Sequence, residues 1–341
     1  MTRPRVVIVG AGGIAGAWLP GVKAEDVEVV AVVDLQLEAA QRRIDAFDLG
    51  AKASTDLAAV LAAESPDFVL DLTVPEARAK VVTVALKAGC HVLSEKPMAS
   101  SMAEAQGLLE LSEKTGKLFM VSQNRRWDAL HVQIQQALQG EQLGAVTMIN
   151  CAFYLGAHFG GFRDEMANPL LLDMAIHHFD LARFFSGADP LAVYAKGFNP
   201  QGSWYQGDAA ASCIFEMTNG LVFSYQGSWC AEGQPTSWNG DWRFVGERGS
   251  VLYERDAAPQ AQVVAGDEGF QRPLRDSGLP AVTLDYPQQR GALREMLAFL
   301  RGGARPATEA KDNIKSLAMV FGAVESARTG ERVVLEHASR A

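Results

Sequence analysis

Asp173 and His177 stand four residues apart in the run Asn168-Pro169-Leu170-Leu171-Leu172-Asp173-Met174-Ala175-Ile176-His177-His178-Phe179-Asp180. Apolar residues at helical spacing, with Pro169 as a start signal, predict a helix through Phe185. Residues four apart on a helix share a face and can touch. A carboxylate beside an imidazole raises its proton affinity and fixes its orientation, which suits a general acid/base near neutral pH. The same spacing also fits an ion pair at a helix N-terminus with a packed histidine. A metal site of Asp173, His177 and His178 is disfavoured, because adjacent histidines diverge by about 100° around a helix. No further ligand clusters with them, so no metal is expected.

Lys96 is the second reactive group. It lies in His91-Val92-Leu93-Ser94-Glu95-Lys96-Pro97, a short apolar strand that ends in a charged pair and a proline. Proline cannot donate to a sheet ladder and restricts the residue before it, so Lys96 should close the strand in an extended conformation. Ligands of open α/β sheets bind in the crevice at the carboxyl ends of the strands, where such a lysine would point. Taken alone, it is equally a surface lysine at a strand end.

The elements around Lys96 read as a dinucleotide site. Arg5 to Val9 is a β-branched run of the kind buried on both faces of a sheet. It meets Gly10-Ala11-Gly12-Gly13-Ile14-Ala15-Gly16, which fits G-x-G-x-x-A before a helix. Gly10 permits a tight turn, Gly12 lets backbone approach a pyrophosphate, and small Ala15 allows close helix–strand packing. The second strand, residues 27 to 33, ends in Asp34, placed to hydrogen-bond the adenosine ribose hydroxyls. A carboxylate there repels a 2′-phosphate, and the next residues, Leu35-Gln36-Leu37-Glu38, include no arginine. NAD is therefore expected over NADP. Hydride removal from an alcohol needs a base for the hydroxyl proton, which the Asp173–His177 pair would supply.

Helices are predicted at 39–47, 56–63, 76–88 and 100–115, and strands at 67–73, 91–96 and 118–122. This alternation implies a parallel sheet with right-handed crossovers. Thr73-Val74-Pro75 ends its strand as Lys96-Pro97 ends the next, so both loops should border the nicotinamide. Beyond, residues 146–154, 192–196, 209–217, 221–228 and 242–245 read as successive strands. Thr218-Asn219-Gly220 and Glu247-Arg248-Gly249-Ser250 are hairpin turns, and 256–285 is irregular. The fold class is thus an α/β Rossmann dinucleotide-binding domain, residues 1–123, followed by an α+β domain with a mostly antiparallel open sheet, residues 124–341.

Residues 154 to 168 bring aromatics, glycines and hydrogen-bonding groups just ahead of the Asp173 helix. Polyols are held by polar side chains with an aromatic ring against their C–H face, and this composition suits that. Arg163 suits a carboxylate or phosphate anchor, or a structural role. Trp229, Trp238 and Trp242 could line a pocket or fill an interface. Hydrophobic residues make up 48% and charged residues 21%, enough to fill two cores without disorder. A net charge of -9 argues against nucleic-acid and anionic-membrane partners. The start, Met1-Thr2-Arg3-Pro4, leaves no room for a signal peptide, and no apolar run reaches membrane-span length. Cys90, Cys151, Cys213 and Cys230 have neither zinc nor disulfide spacing. A soluble, cytoplasmic protein is expected.

Gly10 to Gly16, Thr73-Val74-Pro75, Ala88-Gly89-Cys90-His91 through Pro97, and Asn124-Arg125-Arg126-Trp127 resemble the N-terminal domain of the Gfo/Idh/MocA oxidoreductases. That family contains glucose–fructose oxidoreductase and inositol dehydrogenases. Asp173-Met174-Ala175-Ile176-His177 with Asp180 resembles its second signature, with Asn168-Pro169 and Ala175 where glycines are common. Residues 312–330 and 333–335 resemble its C-terminal helix and final strand. Arg78 stands near the position after Pro75 where the family often has histidine. The resemblance implies cofactor contacts from Gly10, Gly12, Gly13, Ile14, Asp34, Thr73, Pro75, Glu95, Lys96 and Asn124. It implies substrate contacts from Lys96, Arg125, Tyr154, Arg163, Asp173 and His177. Lys96, Asp173 and His177 would form the catalytic cluster, with His177 as general acid/base, Lys96 polarising the substrate oxygen and Asp173 orienting both. The implied activity is NAD-dependent oxidation of a secondary hydroxyl on a sugar, inositol or related cyclic polyol, in a homodimer or homotetramer. Two alternatives stand beside it: a redox-assisted glycosidase that keeps NAD bound, and a non-catalytic dinucleotide sensor, which tends to lose the catalytic cluster.

Overall fold

The computed structural model describes residues 3–335. By internal contacts the chain divides into two units, Met1–Trp127 with Asp285–Ile314, and Asp128–Leu284 with Lys315–Ala341.

The first unit holds six strands: β1 (Arg5–Val9), β2 (Glu28–Val33), β3 (Lys52–Ser54), β4 (Phe68–Asp71), β5 (His91–Glu95) and β6 (Phe119–Ser122). Their order is β3-β2-β1-β4-β5-β6, and every pair is parallel. Val6 to Val9 are at most 5% exposed, as a strand covered on both faces requires. The crossovers are α1 (Ala15–Ala24), α2 (Leu37–Phe47), α3 (Leu57–Glu64), α4 (Pro75–Lys87) and α5 (Met102–Thr115). This is the doubly wound order, and its direction reverses between β1 and β4, where such sheets bind ligands. The three-residue β3 lacks the apolar run that would have marked it in the sequence.

The helix Gln289–Leu300, unmarked by sequence analysis, belongs to this unit. Its Ala292, Leu293, Met296 and Leu297 enter the core around Trp18, Leu19 and Val22 of α1. Arg290 and Arg294 pair with the nearly buried Glu25 at 2.6 and 2.7 Å.

The second unit is built on nine strands: β7 (Val146–Tyr154), β8 (Pro190–Phe198), β9 (Ala210–Met217), β10 (Val222–Ser228), β11 (Asp241–Gly246), β12 (Gly249–Tyr253), β13 (Gln260–Val264), β14 (Leu274–Ser277) and β15 (Val333–Val334). The order is β14-β13-β12-β11-β7-β10-β9-β8-β15. Only β7 and β10 run parallel among these pairs. Asn219 and Gly220 turn the β9–β10 hairpin with φ of 61° and 72°, the left-handed region those residue types tolerate. The irregular reading of 256–285 is corrected by β13 and β14: β14 is a mostly exposed edge strand, Leu-Arg-Asp-Ser, without the apolar alternation that signals a strand.

The helices of this unit are α6 (Ala129–Gln139), the short α7 (Phe162–Glu165) and α8 (Ala175–Ser186). Alternation gives the sheet one apolar face, and α8 packs there. Phe179 meets Phe215 at 4.7 Å, and Phe185 meets Trp242 and Phe244 at 5.2 and 5.3 Å. The opposite face carries Tyr194, Ile214, Ser224, Asn150 and Arg243 in one cross-strand row. Among the described residues no helix is long and apolar enough to cross a membrane. None of the four cysteines is in a disulfide.

His91 opens β5, and its Nδ1 accepts the Leu118 N–H at 2.8 Å. Burial, helped by the Lys117 charge, lowers its pKa from 6.5 to about 4. The unfolded chain therefore binds a proton more readily than the folded one between those values, and stability must fall as pH drops through that window. Urea unfolding across it should show a steeper loss for the wild type than for His91→Asn. Parallel pH profiles would rule out this role.

Candidate active site

Gly10, at φ 100°, is held by the protein itself: an added Cβ would lie 2.8 Å from the Leu72 carbonyl carbon and oxygen. Gly12 and Gly13 differ. A Cβ on either would meet no atom within 4 Å, and neither has a positive φ. Nothing in the folded chain demands glycine there, whereas a pyrophosphate lying on the backbone does. Ile14 follows in αR conformation as the N-cap of α1. Asp34 closes β2 and is fixed by two backbone amides, Ala11 N–H to Oδ2 at 2.7 Å and Gln36 N–H to Oδ1 at 3.0 Å. Glycines and carboxylate thus fit a dinucleotide, with the pyrophosphate at the start of α1 and the ribose hydroxyls at Asp34.

Two further strand ends are tied together by one buried ion pair. Asp71, fully buried at the end of β4, accepts from Thr73 N–H at 3.0 Å and Thr73 Oγ1 at 2.6 Å through Oδ1. Its Oδ2 accepts from Arg78 Nε at 3.1 Å and Ser94 Oγ at 3.0 Å. Arg78, 1% exposed, also donates to the carbonyls of Thr73 and Pro97. One guanidinium therefore joins the loop after β4, with Thr73 and Pro75, to the loop after β5. In the sequence Arg78 stands out only as a departure from the family pattern, and Asp71 carries no signal at all.

Lys96 is half-buried and joined to Pro97 by a cis peptide bond. Glu95 beside it is 8% exposed and turned inward. Trp18 Nε1 donates to Oε1 at 2.7 Å, and Lys96 N–H to Oε2 at 3.1 Å. This carboxylate holds the backbone of the lysine, and Trp18, whose role no motif announced, anchors it from α1. Asn124 and Arg125 lie half-buried on the 3-10 turn Asn124–Trp127 that follows β6.

In the second unit the helix predicted from Pro169 begins in π geometry, Leu170–Met174, and becomes α-helical only at Ala175. A π turn carries one more residue than an α turn and recurs at functional sites. Apolar periodicity cannot distinguish the two. Asp173 lies in the π turn, and Arg163 of α7 reaches its Oδ2 through Nε at 2.6 Å. The guanidinium sits over Phe159 and Phe162, 5.0 and 4.7 Å from the ring centroids. Arg163 thus holds the Asp173 carboxylate. His177 is half-buried, whereas His178 is buried among Phe153 and Tyr225, its Nε2 3.3 Å from the Trp238 carbonyl oxygen. Asp180 accepts from Ser316 Oγ at 2.7 Å and ties α8 to the C-terminal helix Ala310–Thr329.

Tyr154 ends β7, with its hydroxyl 3.5 Å from Gln226 Oε1. Trp229 and Trp242 are core residues at 2% exposure, while Trp238 is 45% exposed. Among the described residues no group of three or more His, Cys, Asp or Glu could hold a metal ion. Of the sequence-derived residues, the glycine loop and Asp34 come together in the first unit, as do the Thr73 and Lys96 loops. Asp173 and Arg163 come together in the second.

Gly12→Ala separates a ligand role from a structural one. Unfolding of the ligand-free variant should shift by no more than about 1 kcal/mol, since the conformation is compatible with alanine. NADH affinity, read by fluorescence titration, should fall at least roughly tenfold. Equal NADH binding by variant and wild type would contradict the assignment.

Two family models match in tandem. One, described as an oxidoreductase family with an NAD-binding Rossmann fold, covers residues 4–123, and the GFO/IDH/MocA C-terminal domain covers residues 131–252. Protein y4oX of Sinorhizobium fredii is 30% identical, over 97% of this chain and 96% of its own. The inositol 2-dehydrogenase of Rhizobium meliloti is 25% identical, over 94% and 96% respectively. A crystal structure of an oxidoreductase from Agrobacterium radiobacter, in complex with NAD+, L-tartaric acid and magnesium, shares the fold. Its TM-score is 0.85 at 21% identity, over 98% of this chain and 99% of that one. Glycine loop, Asp34, the Glu95-Lys96-Pro97 strand end and both family matches agree, and the chain belongs to the Gfo/Idh/MocA family of NAD-binding oxidoreductases.

Proposed function

We propose that the protein transfers a hydride between NAD and a secondary hydroxyl or ketone of a sugar, inositol or related cyclic polyol. The observation that carries this reading is the clamped lysine at the carboxyl end of an NAD-binding sheet. Glu95 holds the Lys96 N–H, and Arg78 holds the Pro97 carbonyl. When bound, NAD supplies the hydride acceptor. Lys96 donates to the substrate oxygen and polarises it. His177 takes the hydroxyl proton as the alcohol becomes a carbonyl and returns it in the reverse direction. Asp173, its carboxylate engaged by Arg163, orients the pair. Asn124 and Arg125 flank the cofactor and substrate, and Tyr154 with the aromatic segment through Phe162 offers ring faces to substrate C–H groups.

The preference for NAD over NADP rests on Asp34, whose charge opposes a 2′-phosphate. The cyclic-polyol class is supported by the inositol 2-dehydrogenase relative. Homodimers or homotetramers would form through the outer face of the nine-stranded sheet, where Met148, Tyr194, Phe198 and Ile214 are 44–52% exposed. We place the protein in the cytoplasm, where its four thiols stay reduced.

Lys96→Ala and His177→Ala should each lower turnover by roughly 10²–10⁴-fold while NADH still binds. The assay is NADH formation against a panel of sugars, inositols, sugar acids and aryl glycosides, with NAD and NADP supplied separately. One polyol should produce NADH and little NADPH. Near-normal turnover in both variants would defeat the reading, and aryl glycoside hydrolysis without NADH would replace it with redox-assisted glycosidase chemistry.

A further inference from the structure

Arg43 lies on α2, outside every motif of the dinucleotide site. Its Nε donates to the Ala11 carbonyl at 3.0 Å and its Nη2 to the Gly12 carbonyl at 2.7 Å. Nη1 stands 3.8 Å from the position a Cβ on Gly16 would occupy. The half-buried guanidinium thus bridges two consecutive carbonyls of the glycine loop, through charge-assisted bonds in the fixed fork that only arginine offers.

The consequence lies on the other side of those peptides. A trans peptide is planar, with its C=O and the following N–H pointing opposite ways. Drawing the Ala11 carbonyl toward Arg43 turns the Gly12 N–H away from it, and drawing the Gly12 carbonyl turns the Gly13 N–H away. Both are glycines where a Cβ would meet no protein atom within 4 Å. Asp34 fixes the preceding amide, Ala11 N–H, at 2.7 Å. Three successive peptide groups are therefore oriented by one carboxylate and one guanidinium. Unrestrained glycine has more conformational freedom to lose than any other residue, so fixing it in advance lowers the cost of binding.

We propose that Arg43 is a positioning residue for the dinucleotide pyrophosphate, acting through the backbone of Ala11, Gly12 and Gly13. It aims the loop amides at the phosphates and adds a positive charge behind them.

The test compares the wild type with Arg43→Ala and Arg43→Lys. NADH, ADP-ribose and adenosine are titrated onto each protein, and the ligand-free proteins are unfolded in urea. Arg43→Ala should raise the Kd for NADH and ADP-ribose about tenfold, equivalent to about 1.4 kcal/mol. Adenosine, which has no pyrophosphate, should bind the variant and the wild type equally. Arg43→Lys should recover only part of the loss, because an ammonium cannot reproduce the fork across both carbonyls. NADH binding by Arg43→Ala at the wild-type Kd would overturn the proposal, whether or not unfolding changes. So would full recovery in Arg43→Lys, which would assign the effect to charge alone. An equal loss for adenosine would mark general damage to the site and overturn it too.

Discussion

A guanidinium almost without solvent contact holds the strand ends where chemistry is expected. Bringing Arg78 and Asp71 out of water costs several kcal/mol per ion, and their mutual attraction offsets this only if the remaining donors and acceptors are satisfied. Here they are. Asp71 accepts four hydrogen bonds, and Arg78 uses all three of its nitrogens. Well-packed apolar residues could fill the same space without loss of stability. What they could not do is join the carbonyls of Thr73 and Pro97 through one planar group. The value of the pair is geometric: it sets the loop after β4 against the loop after β5, and Lys96 stands in the second of these.

The same device recurs elsewhere in the fold. Charged side chains orient backbone or another charge. Glu95 holds the Lys96 N–H and is held by Trp18. Asp34 holds the Ala11 N–H, and Arg163 holds the Asp173 carboxylate. Asp180, part of the signature run, fastens α8 to the C-terminal helix through Ser316. Groups fixed this way lose little freedom when a ligand arrives, which is the basis of preorganised binding and catalysis.

Much of this was legible in the sequence, for physical reasons that differ by residue. The glycine loop, Asp34 and Lys96-Pro97 announce themselves because backbone geometry and strand ends admit few residue types. The parallel sheet followed from strands alternating with helices, and the mostly antiparallel sheet from strands in succession. The partners were not legible. Trp18 and Glu95 are 77 positions apart, and only the folded chain pairs them. Arg78 read as a departure from a pattern, and its work depends on two carbonyls in different loops. The π turn around Asp173 has the same apolar spacing as an α-helix. The strand β14 is polar because it is an exposed edge, and the helix Gln289–Leu300 joins a core whose other elements lie within the first 127 residues.

Hydride carried from a substrate carbon to NAD would take an isotopic label with it. A polyol deuterated at its carbinol C–H positions is incubated with NAD and the protein. Mass spectrometry should find one deuterium in the reduced cofactor, with the substrate recovered as the ketone. Turnover of the substrate with no deuterium in the cofactor would contradict the account.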